Sequence, residues 1–150
     1  MNRLVPILVL LLACAGCERA PPEPRVTVEG ALVTLPVLPG RPGAAYFTLR
    51  TSNDPTRLTG VSSPRIGRIE LHETASEDGV AAMRPLRDAI VGPAAPLTFA
   101  PGARHAMLFD IDPAVRPGGT VPLTFTFDRA PPVTVEAEVR GPGEGASASH

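Results

Sequence analysis

Cysteine is the scarcest informative residue in this chain: there are two in 150 residues, Cys14 and Cys17, and none after position 17. No disulfide can therefore staple the body of the protein internally, and no cysteine thiolate is available there as a nucleophile or as the ligand a blue-copper electron carrier requires. Aromatic residues are also few, with no Trp, one Tyr and five Phe. Charge of one sign is missing too: 14 basic against 15 acidic residues leave a net charge of −1, without the sustained positive field that holds nucleic acid. Neither a Gly-x-Ser-x-Gly elbow nor a phosphate-cradling glycine loop is found; Gly102, Gly118 and Gly119 read as turn residues. These absences argue against hydrolytic, nucleotide-dependent and redox enzymes, and the chain is read as a non-enzyme.

Proline and glycine, in contrast, are plentiful, at 19 and 14. Proline inside a helix costs about 3 kcal/mol, so breaks this frequent leave long helices nowhere to form. Between them lie short segments rich in Val, Ile, Leu, Thr and Phe: 26–28, 31–37, 44–51, 56–62, 66–74, 80–84, 97–99, 104–111, 120–127 and 133–139. Several alternate with period two, as in Val121, Leu123, Phe125 and Phe127. The pattern predicts an all-β, antiparallel sandwich or barrel. With 43% hydrophobic residues, a chain of this length can build one core of ordinary size, hence a single domain.

The ends read differently. A minimal basic start and an apolar run over 4–13 have the length of a signal-peptide core, not of a membrane span. Leu11-Leu12-Ala13 before Cys14 fits a bacterial lipoprotein cleavage box, so residues 1–13 are expected to be removed and Cys14 lipidated, with Cys17 as the alternative. Residues 14–25 then form a proline-rich tether, 26–140 the domain, and 141–150, small and polar, a disordered tail. An exported monomer held by its lipid on the periplasmic side of a bacterial membrane is the expectation.

What remains is an unusual economy of His and Met. His72, Met83, His105 and Met107 include every Met after the initiator and every His but the last residue. Imidazole with thioether is a soft donor set that favours monovalent copper over magnesium or calcium. In the 66–74 segment His72 alternates away from Ile69 and Leu71. A turn over Ser76-Glu77-Asp78-Gly79 leads to the segment bearing Met83. Pairing His72 with Met83 centres that turn between Glu77 and Asp78; centring it on Asp78-Gly79 instead sets His72 opposite Pro85 and Met83 opposite Thr74. Either register brings ring and sulfur together. His105 and Met107, two apart, leave one strand on the same face. The alternative is that Met107 lines the core with Phe109 and Ile111, since Met commonly fills gaps there. Glu70, Glu73 and Glu77 are candidates to orient an imidazole, but are expected to be solvated edge residues.

The spacing His72-x10-Met83-x21-His105-x-Met107 resembles the signature of the periplasmic PCu(A)C copper chaperones. So do Glu70-Leu71-His72-Glu73-Thr74, Met83-Arg84-Pro85, Pro101-Gly102 and His105-Ala106-Met107-Leu108. Weaker likenesses are Ala45-Tyr46-Phe47-Thr48-Leu49 and the run from Pro117 to Leu123, so that the resemblance covers roughly 26–140. It implies a cupredoxin-like β-sandwich that binds one Cu(I) through His72, Met83, His105 and Met107. It also implies delivery to the binuclear copper site of cytochrome c oxidase subunit II, or to another periplasmic acceptor. A tail with only His150 departs from relatives whose tails are rich in His and Met. Thioethers do not titrate whereas imidazoles must shed a proton to bind, so affinity should fall in acid. Copper storage without delivery, and a lipid-anchored interaction module with an incidental His/Met cluster, are the alternatives.

Overall fold

Short extended segments separated by proline must satisfy their backbone donors across the chain rather than along it, and they do so in a continuous sheet. The computed structural model describes residues 24–144. The expected signal segment, Cys14, Cys17 and most of the tether lie outside the described residues, as does the tail from 145 onward. Among the described residues there are ten strands and no helix: β1 (Val26–Thr34), β2 (Gly43–Thr51), β3 (Thr56–Ser62), β4 (Ile66–Glu77), β5 (Val80–Pro85), β6 (Ile90–Val91), β7 (Leu97–Phe99), β8 (Arg104–Ile111), β9 (Thr120–Phe127) and β10 (Val133–Arg140). Their order across the sheet is β5-β4-β8-β2-β1-β10-β9-β3-β6, with β7 paired to β2.

The sheet folds over a single core. Phe47 of β2 stacks on Phe99 of β7 at 4.3 Å between ring centroids, and meets Phe125 of β9 edge-on at 4.8 Å, so the aromatic contact joins the two halves of the sheet. Alternate residues of β2 and β9 are buried, as their period-two patterns require. Gly43 opens β2 where the chain crowds: a Cβ there would lie 2.7 Å from the Thr34 carbonyl oxygen and 2.8 Å from Ile111 Cδ1.

Three details differ from the sequence reading. The pairing is antiparallel except between β1 and β10, which run parallel with Val33 opposite Val139; the whole intervening chain serves as the long crossover such a pair needs. Segments 26–28 and 31–37 are one strand, β1, interrupted by a bulge at Gly30 (φ 60°), and residues 35–37 lie beyond its end. The tail expected to be unstructured from 141 begins with a turn, in which the Gly141 amide donates to Glu144 Oε2 at 2.9 Å.

Candidate metal centre

The site is built on β4, the longest strand, flanked by β5 at the free edge of the sheet and by β8 on its inner side. Ile69 and Leu71 turn one face of β4 to the core. Glu70, His72 and Thr74 therefore share the opposite face. On β8 the core-facing residues are Ala106 and Leu108, both fully buried, so His105 and Met107 stand on that same outer face. Met107 consequently does not line the core, because the alternation of β8 assigns that place to its neighbours.

Register places the four candidates on one face of three neighbouring strands. Across β4 and β8, His72 is directly opposite His105, and Glu70 is opposite Met107. Across β4 and β5, His72 faces Pro85 and Met83 faces Thr74, the pairing that a turn centred on Asp78-Gly79 dictates. That turn holds Asp78 at φ 52° and Gly79 at φ 80°, the left-handed pair of a two-residue hairpin loop. Of the two registers left open by the sequence, this one is adopted because Gly79 supplies the positive φ at its second position.

The consequence is a contact over the top of β4. His105 Nε2 lies 3.1 Å from Met83 Sδ, and the His72 and His105 ring centroids are 6.2 Å apart. His105 Nδ1 donates to the Ala103 carbonyl at 3.3 Å. A carbonyl only accepts, so in the neutral ring Nε2 carries the lone pair and points it at the thioether. Met107 follows His105 on the same strand face, about 7 Å along the strand. Met83 is 58% exposed and His72 only 17% exposed in its side chain, which makes the cluster a shallow one at the surface.

Two further residues touch this face. Glu70 Oε2 accepts from His72 Nε2 at 3.2 Å, and Arg68 Nη1 donates to Glu70 Oε1. Glu73 points to the other side of the sheet, where the Arg84 guanidinium donates to it at 2.9 Å. The expectation of a solvated edge residue is thus corrected for Glu70, which is tied to a candidate ligand, whereas Glu73 pairs with Arg84 at the exposed edge of the sheet. The signal available in sequence was the period-two series Arg68, Glu70, His72, which shares one face of a strand.

The LpqE-like family model matches residues 26–139. The chain belongs to the LpqE-like family. Among curated relatives of this LpqE-like chain is protein RP573 of Rickettsia prowazekii (strain Madrid E), 37% identical over 108 residues, which are 71% of the chain and 55% of RP573. The chain spans about half the length of that relative. Solved structures place the fold with PCuAC domains. The copper-bound PCuAC domain from PmoF2 is 28% identical with a TM-score of 0.60, over 78% of this chain and 93% of that one. Apo-DR1885 from Deinococcus radiodurans is 27% identical with a TM-score of 0.59, over 97% of this chain and 99% of the other. Its Cu(I) form is 28% identical with a TM-score of 0.61, over 84% and 83%. The LpqE-like chain has the PCuAC fold, a cupredoxin-like β-sandwich, as its sequence motifs imply.

Proposed function

We propose that this chain is an exported, lipid-anchored Cu(I) chaperone that holds one copper ion through His72, Met83, His105 and Met107 and delivers it to the binuclear copper site of cytochrome c oxidase subunit II. The observation that carries the reading is the convergence of His105 Nε2 and Met83 Sδ to 3.1 Å, with His72 opposite His105 and Met107 beside it on one sheet face. Two electron-pair donors turned toward each other are poorly matched without a cation, and this soft pair suits Cu(I). The fit of the donor set is supported by His72 Nδ1, which is buried with no hydrogen-bond partner among the described residues. Support also comes from the copper-bound and Cu(I) forms among the structural relatives.

The chemistry favours carriage over catalysis. Four neutral donors at a partly exposed site let an acceptor replace them one at a time, and no nucleophile or general base is needed for ligand exchange. Met in place of Cys avoids disulfide formation outside the cytoplasm. Export and anchoring through Cys14, or through Cys17, are supported by the signal-like start and by the lipoprotein name of the family.

Anaerobic competition for Cu(I) against a chromogenic chelator tests binding: one tight equivalent in the wild type should be lost or greatly weakened in Met83→Ala and His105→Ala. Mixing the loaded protein with an apo subunit II fragment tests delivery: after the two are separated under anaerobic conditions, copper should be lost from the donor and found on the acceptor. Binding without transfer would make the protein a copper store.

A further inference from the structure

The two imidazoles are held in opposite ways. His105 donates from Nδ1 to the Ala103 carbonyl, leaving Nε2 as its donor atom toward Met83. His72 meets Glu70 Oε2 with Nε2, at 3.2 Å. A carboxylate has no proton to give at neutral pH, so Nε2 of His72 must carry the hydrogen and Nδ1 the lone pair. That Nδ1 is buried and has no hydrogen-bond partner among the described residues. A buried polar atom left without a hydrogen bond costs roughly 1–3 kcal/mol, and a neutral imidazole nitrogen with a free lone pair is what a soft cation binds.

Glu70 is itself held. Arg68 donates to its second carboxylate oxygen, and the Arg68 guanidinium lies 4.2 Å over the ring of Phe109, directly across on β8. The stacked, bidentate-capable guanidinium fixes the carboxylate better than a flexible ammonium would. Phe109, Arg68, Glu70 and His72 thus form a line along one face of the β4–β8 pair, ending at the ring opposite His105. Carboxylates that accept from the distal nitrogen of a metal-binding imidazole fix its tautomer and raise its basicity.

We infer that Glu70, clamped by Arg68 on Phe109, is a positioning residue that selects the Nε2–H tautomer of His72 and makes Nδ1 its copper-donor atom, whereas His105 donates through Nε2. This rests on the Cu(I) reading above and goes beyond it by assigning the donor atoms and the groups that choose them. Arg68 and Glu70 do not contact the ion; they act through His72.

The test is long-range proton–nitrogen NMR of the ¹⁵N-labelled full chain, before and after one equivalent of Cu(I), in wild type, Glu70→Gln, Glu70→Ala and Arg68→Ala. The expected wild-type result is a protonated Nε2 and an unprotonated Nδ1 on His72 in the copper-free protein, with Nδ1 shifting on metal addition while Nε2–H persists. His105 should show the reverse pattern. Glu70→Ala should mix the two His72 tautomers and weaken Cu(I) binding about tenfold or more, with Glu70→Gln and Arg68→Ala in between and amide spectra unchanged outside the site. Coordination of His72 through Nε2, or a Glu70→Ala protein with wild-type affinity and tautomer, would overturn the positioning role while leaving the copper site intact. No response to Cu(I) from either ring or from the Met83 and Met107 methyls would overturn the copper site itself, and the assignment with it.

Discussion

Met107 and Leu108 are consecutive residues with opposite duties, because a strand sends successive side chains to opposite faces. Leu108 is fully buried, so Leu108→Ala should cost about 2–5 kcal/mol in chemical denaturation through lost burial and the cavity left behind. Met83, 58% exposed on an edge strand, has little apolar burial to lose. Met83→Ala should shift stability by no more than about 0.5 kcal/mol while sharply weakening Cu(I) in the competition assay; equal losses of both would make Met83 a packing residue. The ligand candidates were legible in the sequence because His and Met are rare there and their alternation against Ile69, Leu71, Ala106 and Leu108 can be read off the chain. Glu70 was legible only as one of three carboxylates that could orient an imidazole, with a solvated place at the edge expected for each. A carboxylate on a strand face is solvated by default, and only side-chain placement turns it toward a ring two residues away.

At the scale of the element, the β4–β5 hairpin decides whether Met83 reaches the site. Its two-residue turn places Asp78 and Gly79 at positive φ, which a β-branched residue adopts only under strain. Gly79→Val should therefore loosen or shift the hairpin, and a shift of one residue would send Met83 to the opposite face. The expected result is a marked loss of Cu(I) affinity with a melting temperature close to wild type, since β5 contributes no residue to the buried core; thermal melts and copper competition on the same sample check both halves. Strands with clean alternation, β7, β8 and β9, were readable to the residue. β1 was not, because Gly30 imitates a break, and β6 was not, because two residues between Pro85 and Pro96 carry no period.

The whole molecule is closed by contacts between distant parts of the chain, and one of them is charged. The Arg57 backbone amide and the Thr56 hydroxyl both donate to Asp128 Oδ1, at 2.8 and 3.0 Å, joining β3 to the end of β9. The Arg57 amide hydrogen bond is the main reason the Asp128 carboxyl titrates below its usual range, with the Thr56 hydroxyl and the Arg57 charge adding to it. A depressed folded pKa means that the stabilisation is complete above the unfolded pKa and disappears as the pH falls through the folded value. Asp128→Asn should accordingly be destabilised against wild type at neutral pH, with the gap closing in strong acid, as measured by urea midpoints across that range. The parallel β1–β10 pair was the least legible feature of the architecture. Period-two patterns report which face of a strand is buried but not which distant strand lies beside it or in which direction it runs.

Because β5 has a neighbour on one side only among the described residues, the arm that carries Met83 should open at a lower free energy than β8, which is paired on both sides. Copper bound across β5, β4 and β8 would act as a latch between an arm that breathes and a strand that does not. Amide hydrogens of 80–85 should then exchange faster than those of 104–111 in the copper-free protein and slow selectively on loading. Release to an acceptor would begin by lifting one sulfur off the ion, without disturbing the core.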